Sequence, residues 1–185
     1  LKMPAETLHV ALVQPKIAFH AKIKSIDYAE AEKMPGVFKV ITAKDVRGTN
    51  RLNMFQFIPR CTALQPTHVL LAEDKIFNYG DVVAMVAADT KAHARAAAAA
   101  VKVEIEQLPE YLNYLDAVLP DSIRIHDDTP NIFALQPVIK GEEDLQRLLE
   151  TADYVVEGSF RSSREPHMPI EGDTVQAYRG DDGML

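Results

Sequence analysis

The chain has 185 residues, 47% of them hydrophobic, enough for one domain, or one domain with part of another, to bury a core. Its 20 basic side chains against 27 acidic ones leave a formal charge of -7, which argues against nucleic acid as the main partner because phosphate binding calls for a basic surface. The single cysteine, Cys61, excludes an internal disulfide and a multi-cysteine metal knot. No apolar run approaches the roughly 20 residues that span a bilayer, and no signal peptide is visible, so no membrane partner is expected and the location is cytoplasmic or unassigned.

In chain order, His9–Val13 (HVALV) is short and apolar and predicts a strand that Pro15 interrupts. The imperfect alternation of Ala18–Ile26 predicts a second strand. Asp27 is positioned to cap a short helix, Tyr28–Met34, with Glu30 at the capping-box position, and Pro35-Gly36 stops it. Val37–Thr42 (VFKVIT) predicts a third strand, and Thr42 with Asp45 starts a single helical turn over Ala43–Val46. Residues 47–68 show no clean period. Connections this long are often functional or pack on a neighbour, and this one carries the apolar cluster Met54, Phe55, Phe57 and Ile58. It either covers an edge of the core or meets another domain.

The clearest unit is 75–106. Gly80-Asp81 is a turn signal, Val82–Ala87 reads as a strand buried on both faces, and Asp89 and Thr90 offer cap oxygens for a helix over Lys91–Ala100. Alanine is the strongest helix former, and its small side chain also admits close approach to a sheet. From Val101 the period becomes two, with Val103 and Ile105 opposed by Lys102, Glu104 and Glu106, a half-exposed strand that Pro109 ends. A short helix signal lies in YLDAV within Leu112–Leu119, Ile123 and Ile125 alternate with Arg124 and His126, and Asp127–Asn131 is a polar turn. Beyond it come a helix at Glu142–Thr151 with Leu145, Leu148 and Leu149 on one stripe, then strands at Tyr154–Arg161 and Thr174–Tyr178. A strand followed by the turn signal of 179–183 ordinarily leads to a partner strand, and the first residue is Leu1 rather than methionine. Both suggest a piece of a longer polypeptide.

The chemistry-bearing residues are sparse. His167 and Glu171, four apart between prolines, form a His–carboxylate pair that serves either acid–base work, a metal, or the stabilisation of a tight turn. His126, Asp127 and Asp128 lack the alternating oxygen pattern of a calcium loop and read as surface. His20 among strand residues reads as a hydrogen-bonded structural histidine, and His93 as solvated or at a sheet edge. Cys61 has only Arg60 beside it to activate a thiol, so a small hydrolase built on Cys61 and a histidine ranks low. There is no Gly-x-Gly-x-x-Gly and no Walker lysine. From the residues alone this is a soluble α/β chain without a convincing catalytic set, open to a reading as a stand-alone module that binds a protein or ligand through its loops.

The segments 20–27 (HAKIKSID), 34–37 (MPGV), 43–46 (AKDV), 74–81 (DKIFNYGD), 86–90 (VAADT) and 94–97 (ARAA) fall in a known order. So do the later segments 128–131 (DTPN), 137–142 (PVIKGE), 166–171 (PHMPIE) and 180–183 (GDDG). Through them the chain resembles the xanthine oxidase family of molybdenum hydroxylases, and within it the aldehyde oxidoreductases of sulfate-reducing bacteria.

That resemblance implies an α+β fold: an α/β-hammerhead domain over 1–131, then over 132–185 the first strands of a molybdopterin-binding domain. It implies a parent enzyme that oxidises aldehydes to carboxylic acids with oxygen from water, using molybdenum on a molybdopterin cytosine dinucleotide and two [2Fe–2S] clusters, with a flavin in some members. It implies no catalytic, cofactor-binding or metal-binding residue in this chain, whose partners are the remaining domains of the parent; a homodimer is admitted. Gly80 matches the family's turn glycine, and His167 and Glu171 its His-x-x-x-Glu motif, although Gly172 stands where the family usually has proline. Phe55 and Phe57 fall in a segment that varies in the family, where they are expected to build an interdomain wall.

Overall fold

A computed structural model describes residues 6–52, 62–63, 68–132, 134–135, 141, 144–163, 165–166, 168, 170, 172 and 174–184. The chain divides into two compact units, 1–138 and 139–185.

In the first unit β1 spans His9–Val13, β2 Ala21–Asp27, α1 Ala29–Glu32 and β3 Val37–Thr42. Then come β4 (Thr62–Ala63), β5 (Lys75–Ile76), β6 (Ala84–Ala88), α2 (Lys91–Ala100), β7 (Lys102–Gln107), α3 (Tyr114–Ala117) and β8 (Ala134–Leu135). Every ladder among the described residues is antiparallel. One sheet has the order β1-β6-β3, a second β5-β2-β7, and β4 pairs with β8. The strands that flank the alanine helix therefore belong to different sheets, and α2 carries the chain from one to the other.

Several local signals are realised as read. Thr90 Oγ accepts the His93 amide at 3.1 Å and caps α2. The Asp45 carboxylate accepts the Thr42 amide at 2.9 Å, closing a 3-10 turn over Ala43–Asp45. Asp27 Oδ1 accepts the Ala29 amide at 3.1 Å, but α1 is a single turn rather than the expected 28–34. Glu30 makes no capping box and reaches Lys33 at 2.9 Å instead, an exposed pair of little energetic weight. β2 starts at Ala21, not Ala18, because the Ile17 amide turns back onto the Pro15 carbonyl at 2.8 Å.

Direct cross-strand partners share a face. Val13, Ala84, Val86, Val40 and Thr42 point inward, and α2 lies over them through buried Ala94 and Ala97. Small side chains at these positions allow the close approach the sequence suggested. Val40, Val83 and Val86 are fully buried in this core, each contributing about 1.5–3 kcal/mol. A second, smaller cluster joins Ala18, Ala21 and Ile76, with Ile23 and Ile105 packed against it.

In the second unit α4 spans Leu145–Thr151, shorter than the expected 142–151, with Asp144 Oδ1 accepting the Arg147 amide at 3.0 Å. Its leucine stripe, Leu145, Leu148 and Leu149, is exposed. The expected strands at 154–161 and 174–178 are not formed: neither segment joins a ladder, and Tyr154, Val156, Phe160 and Val175 are exposed. Alternation prepares two faces, but the backbone N–H and C=O groups still need an adjacent strand, and none of the described residues supplies it. The turn at 180–184 is present, closed by the Gly180 amide on the Met184 carbonyl at 2.7 Å.

Candidate functional site

The polar residues of the first unit converge where β5 meets the loop 122–131. The Lys75 side chain, only 13% exposed, donates from Nζ to the Ile125 carbonyl at 2.7 Å and to Asp127 Oδ1 at 3.4 Å. Two residues on, the Phe77 ring stacks on the His126 imidazole, with centres 4.2 Å apart and planes 10° from parallel. Lys75 Nζ lies 5.4 Å from the Phe77 ring centre. Asn131 holds the loop in this shape. Its side-chain oxygen accepts the Ile125 amide at 2.9 Å, and its side-chain nitrogen donates to the carbonyls of Ala117 at 2.7 Å and Ile123 at 2.9 Å. Beside the corner lies a cleft of about 410 Å³ lined in part by Arg51, Glu73, Asp74 and Asp128.

The preceding turn is built around Asp81, whose Oδ2 accepts the amides of Phe77 at 2.8 Å and Asn78 at 3.1 Å. Gly80 sits in the same turn at φ +98, and its carbonyl accepts from Gln14 Nε2 at 2.6 Å. A side chain would find space there, so the backbone angle is what demands glycine. His20 is buried and donates from Nδ1 to the Pro109 carbonyl at 2.8 Å, while its Nε2 has no hydrogen-bond partner among the described residues. His93, read as solvated or at a sheet edge, is partly exposed and also has a partner. Its Nδ1 lies 2.6 Å from Asp89 Oδ1, and that hydrogen bond is the chief reason the Asp89 carboxyl is held below its ordinary value. Phe55, Phe57, Cys61, His167 and Glu171 lie outside the described residues.

His126 belongs to a polar turn that reads as plain surface in the sequence, yet its ring is half-buried and Nδ1 has no hydrogen-bond partner among the described residues. Burial pulls this imidazole below its ordinary value of 6.5; Lys75, His68 and His20 act in the same direction, and Asp128 opposes them. The folded chain thus keeps His126 neutral at a pH where the unfolded chain protonates it. The stability tied to this group is full above about pH 6.5 and is lost as pH falls from there toward the depressed folded value. Urea unfolding at about pH 7.5 and about pH 5.5 should show a smaller loss for His126→Phe, which retains a ring on Phe77, than for the unsubstituted chain. Equal losses in both would refute the assignment.

A half-buried imidazole, an ammonium tied to a carbonyl and a loop held by Asn131 make a hydrogen-bonded corner. Among the described residues no three His, Cys, Asp or Glu side chains gather to hold a metal. The described residues do not fit a molybdenum centre or an iron–sulfur cluster, and no step is assigned to either. Sequence reasoning missed Lys75, Phe77 and Asn131 as the framework of this corner. The only signal was the DDTPN turn itself, which does not disclose its partner some fifty residues earlier.

Residues 1–109 match the aldehyde oxidase and xanthine dehydrogenase a/b hammerhead domain. Over 183 residues the chain is 50% identical to the aldehyde oxidoreductase of Megalodesulfovibrio gigas, covering 99% of this chain and 20% of that protein. It is 32% identical over 166 residues to the nicotinate dehydrogenase large molybdopterin subunit of Eubacterium barkeri, covering 90% of this chain and 36% of that one. The solved aldehyde oxidoreductase from Desulfovibrio gigas superposes with a TM-score of 0.87 at 49% identity, over 98% of this chain and 20% of the other. The small helices and antiparallel sheets described above are those of the matched domain.

Proposed function

The chain belongs to the family of aldehyde oxidase and xanthine dehydrogenase a/b hammerhead domains, and on that premise we propose that it is a structural portion of a molybdenum-dependent aldehyde oxidoreductase. The observation that carries the substrate class is the 50% identity to an aldehyde oxidoreductase across 183 residues, against 32% to a nicotinate dehydrogenase subunit. The chain spans 20% of that aldehyde oxidoreductase, so the reacting groups are assigned to the remainder of the parent.

In this reading 1–131 form the hammerhead domain and 132–185 open the molybdopterin-binding domain. The parent binds a molybdopterin cytosine dinucleotide with molybdenum and two [2Fe–2S] clusters. It converts an aldehyde and water into a carboxylic acid, releasing two electrons and two protons, and the electrons leave through the clusters. The Gly80 turn and the His167/Glu171 segment serve the fold, and Phe55 and Phe57 face another domain of the same polypeptide. Among the described residues no helix is long and apolar enough to cross a membrane.

The test is on the full-length protein that contains this chain. Purified protein should retain molybdenum and iron after desalting. With acetaldehyde in ¹⁸O-labelled water and an artificial electron acceptor it should release acetic acid carrying label from the solvent. Metal-loaded protein that turns over a nitrogen heterocycle but no aldehyde would overturn the substrate class. Protein that folds and carries no molybdenum would overturn the reading altogether.

A further inference from the structure

The two three-stranded sheets treat their outward faces in opposite ways. On β5-β2-β7 the outward positions are charged or polar. Lys22 stands opposite Glu106, Ser25 opposite Glu104 and Asp27 opposite Lys102, and Lys24 reaches Glu106 at 3.3 Å. Over β2 and β7 this is the polar face of an antiparallel sheet that meets water, while on β5 Lys75, opposite Lys22, is taken up by the 122–131 loop. On β1-β6-β3 the outward positions form two rows, Leu12–Met85–Ile41 and Val10–Ala87–Lys39. Five of these six are apolar, and the one charge, Lys39, is turned to Asp45 in an ion pair.

Among the described residues of the first unit that face is only partly covered: Met85 and Ile41 are half-buried and Ala87 is buried between longer neighbours. Val10 and Leu12 on the edge strand β1 are 56% and 51% exposed, and on the opposite edge strand, β3, a register shift between Val37 and Lys39 leaves Phe38 74% exposed. An apolar edge strand with an apolar outer face is the arrangement that soluble proteins cover or interrupt with charge. The same chain writes a solvent face in lysine and glutamate only one sheet away.

We propose that the outward face of β1-β6-β3 is seated against an apolar surface of the same parent polypeptide, contributed from outside these 185 residues. This rests on the reading of the chain as a part of a larger enzyme. The chain spans 20% of the aldehyde oxidoreductase it matches, so a covalently tethered partner is at hand. Such a partner is present at high effective concentration and avoids the association cost that a second copy would bear.

The experiment places the photoreactive residue p-benzoylphenylalanine at Leu12 of the full-length protein, with a second variant carrying it at Val10 and a solvent-face control at Lys22. Irradiating an equal mixture of isotopically light and heavy protein, followed by peptide mass spectrometry, separates contacts within one polypeptide from contacts between two. The expected result is cross-linking from positions 12 and 10, but not 22, to peptides beyond this segment in the same polypeptide, without mixed light–heavy pairs. Mixed pairs alone would assign the face to a second copy and overturn the proposal. Cross-links confined to this segment, or none from either position, would also overturn it. Molybdenum content and aldehyde turnover of the same unsubstituted protein report separately on the enzymatic reading, so either conclusion can fail alone.

Discussion

Gly36→Ala is expected to destabilise the chain by about 2–4 kcal/mol, well beyond a surface substitution. Two costs combine. Gly36 has φ +76, and an L-residue held in that region costs about 1–2 kcal/mol. A Cβ at Gly36 would also overlap the Asp89 carboxylate and the His93 ring, the ends of two partly exposed side chains that must swing away and give up their hydrogen bond to each other. The backbone cannot step aside easily, because the Asp89 amide donates to the Gly36 carbonyl at 2.9 Å and ties the turn after α1 to the start of α2. Urea unfolding of the variant gives the total. Adding His93→Ala to Gly36→Ala removes one of the two obstructions and should recover part of the loss, leaving the cost of the backbone angle. A Gly36→Ala variant within about 0.5 kcal/mol of the unsubstituted chain would show that the junction relaxes freely.

The second large effect is expected at Ile76. Removing its side chain beyond Cβ with Ile76→Ala should cost about 2–5 kcal/mol, and the upper half of that range is favoured. The reason lies in what surrounds it. Ile76 is fully buried in a cluster whose other fully buried members are Ala18 and Ala21, so it fills most of the space itself. Alanine neighbours have no side-chain freedom with which to collapse into the cavity, which leaves Ile23 and Ile105, packed against the cluster, to shift toward it. Ile76→Val, which keeps most of the volume, should cost about 0.5–1.5 kcal/mol. Hydrogen exchange in β2 and β7 should accelerate in the alanine variant, because β2 pairs with both β5 and β7. A loss below about 1 kcal/mol for Ile76→Ala would mean that the second cluster is not a core in the energetic sense.

Both positions illustrate how unevenly the structure could be read in advance. β1, β3, α2 and the Thr42–Asp45 turn carry their instructions within a few residues: a period of two, an alanine run, a cap oxygen three positions from its amide. Gly36 was legible as a helix stop but not as the floor beneath the Asp89–His93 pair, because that pair arrives from another part of the chain. Ile76 lay in an apolar approach to a turn, and its two-residue strand exists only because Ala21 and Lys22 offer a ladder. In the candidate site, Gly80 was legible as a turn, while the stacking of Phe77 on His126 and the grip of Lys75 on Ile125 were not. The segments at 154–161 and 174–178 show the converse: a pattern suited to strands, with no ladder among the described residues.

Sequence alone therefore settled which stretches of this chain favour helix, strand or turn, and the order of its motifs pointed to the right family. Those properties depend on backbone preference and on hydrogen bonds closed within a turn. Which strands pair, that β6 and β7 part into separate sheets, and that one sheet turns an apolar face outward were decided by folding in three dimensions. A ladder and a buried face each need partners distant in the chain, and their positions are set when both sides pack at once.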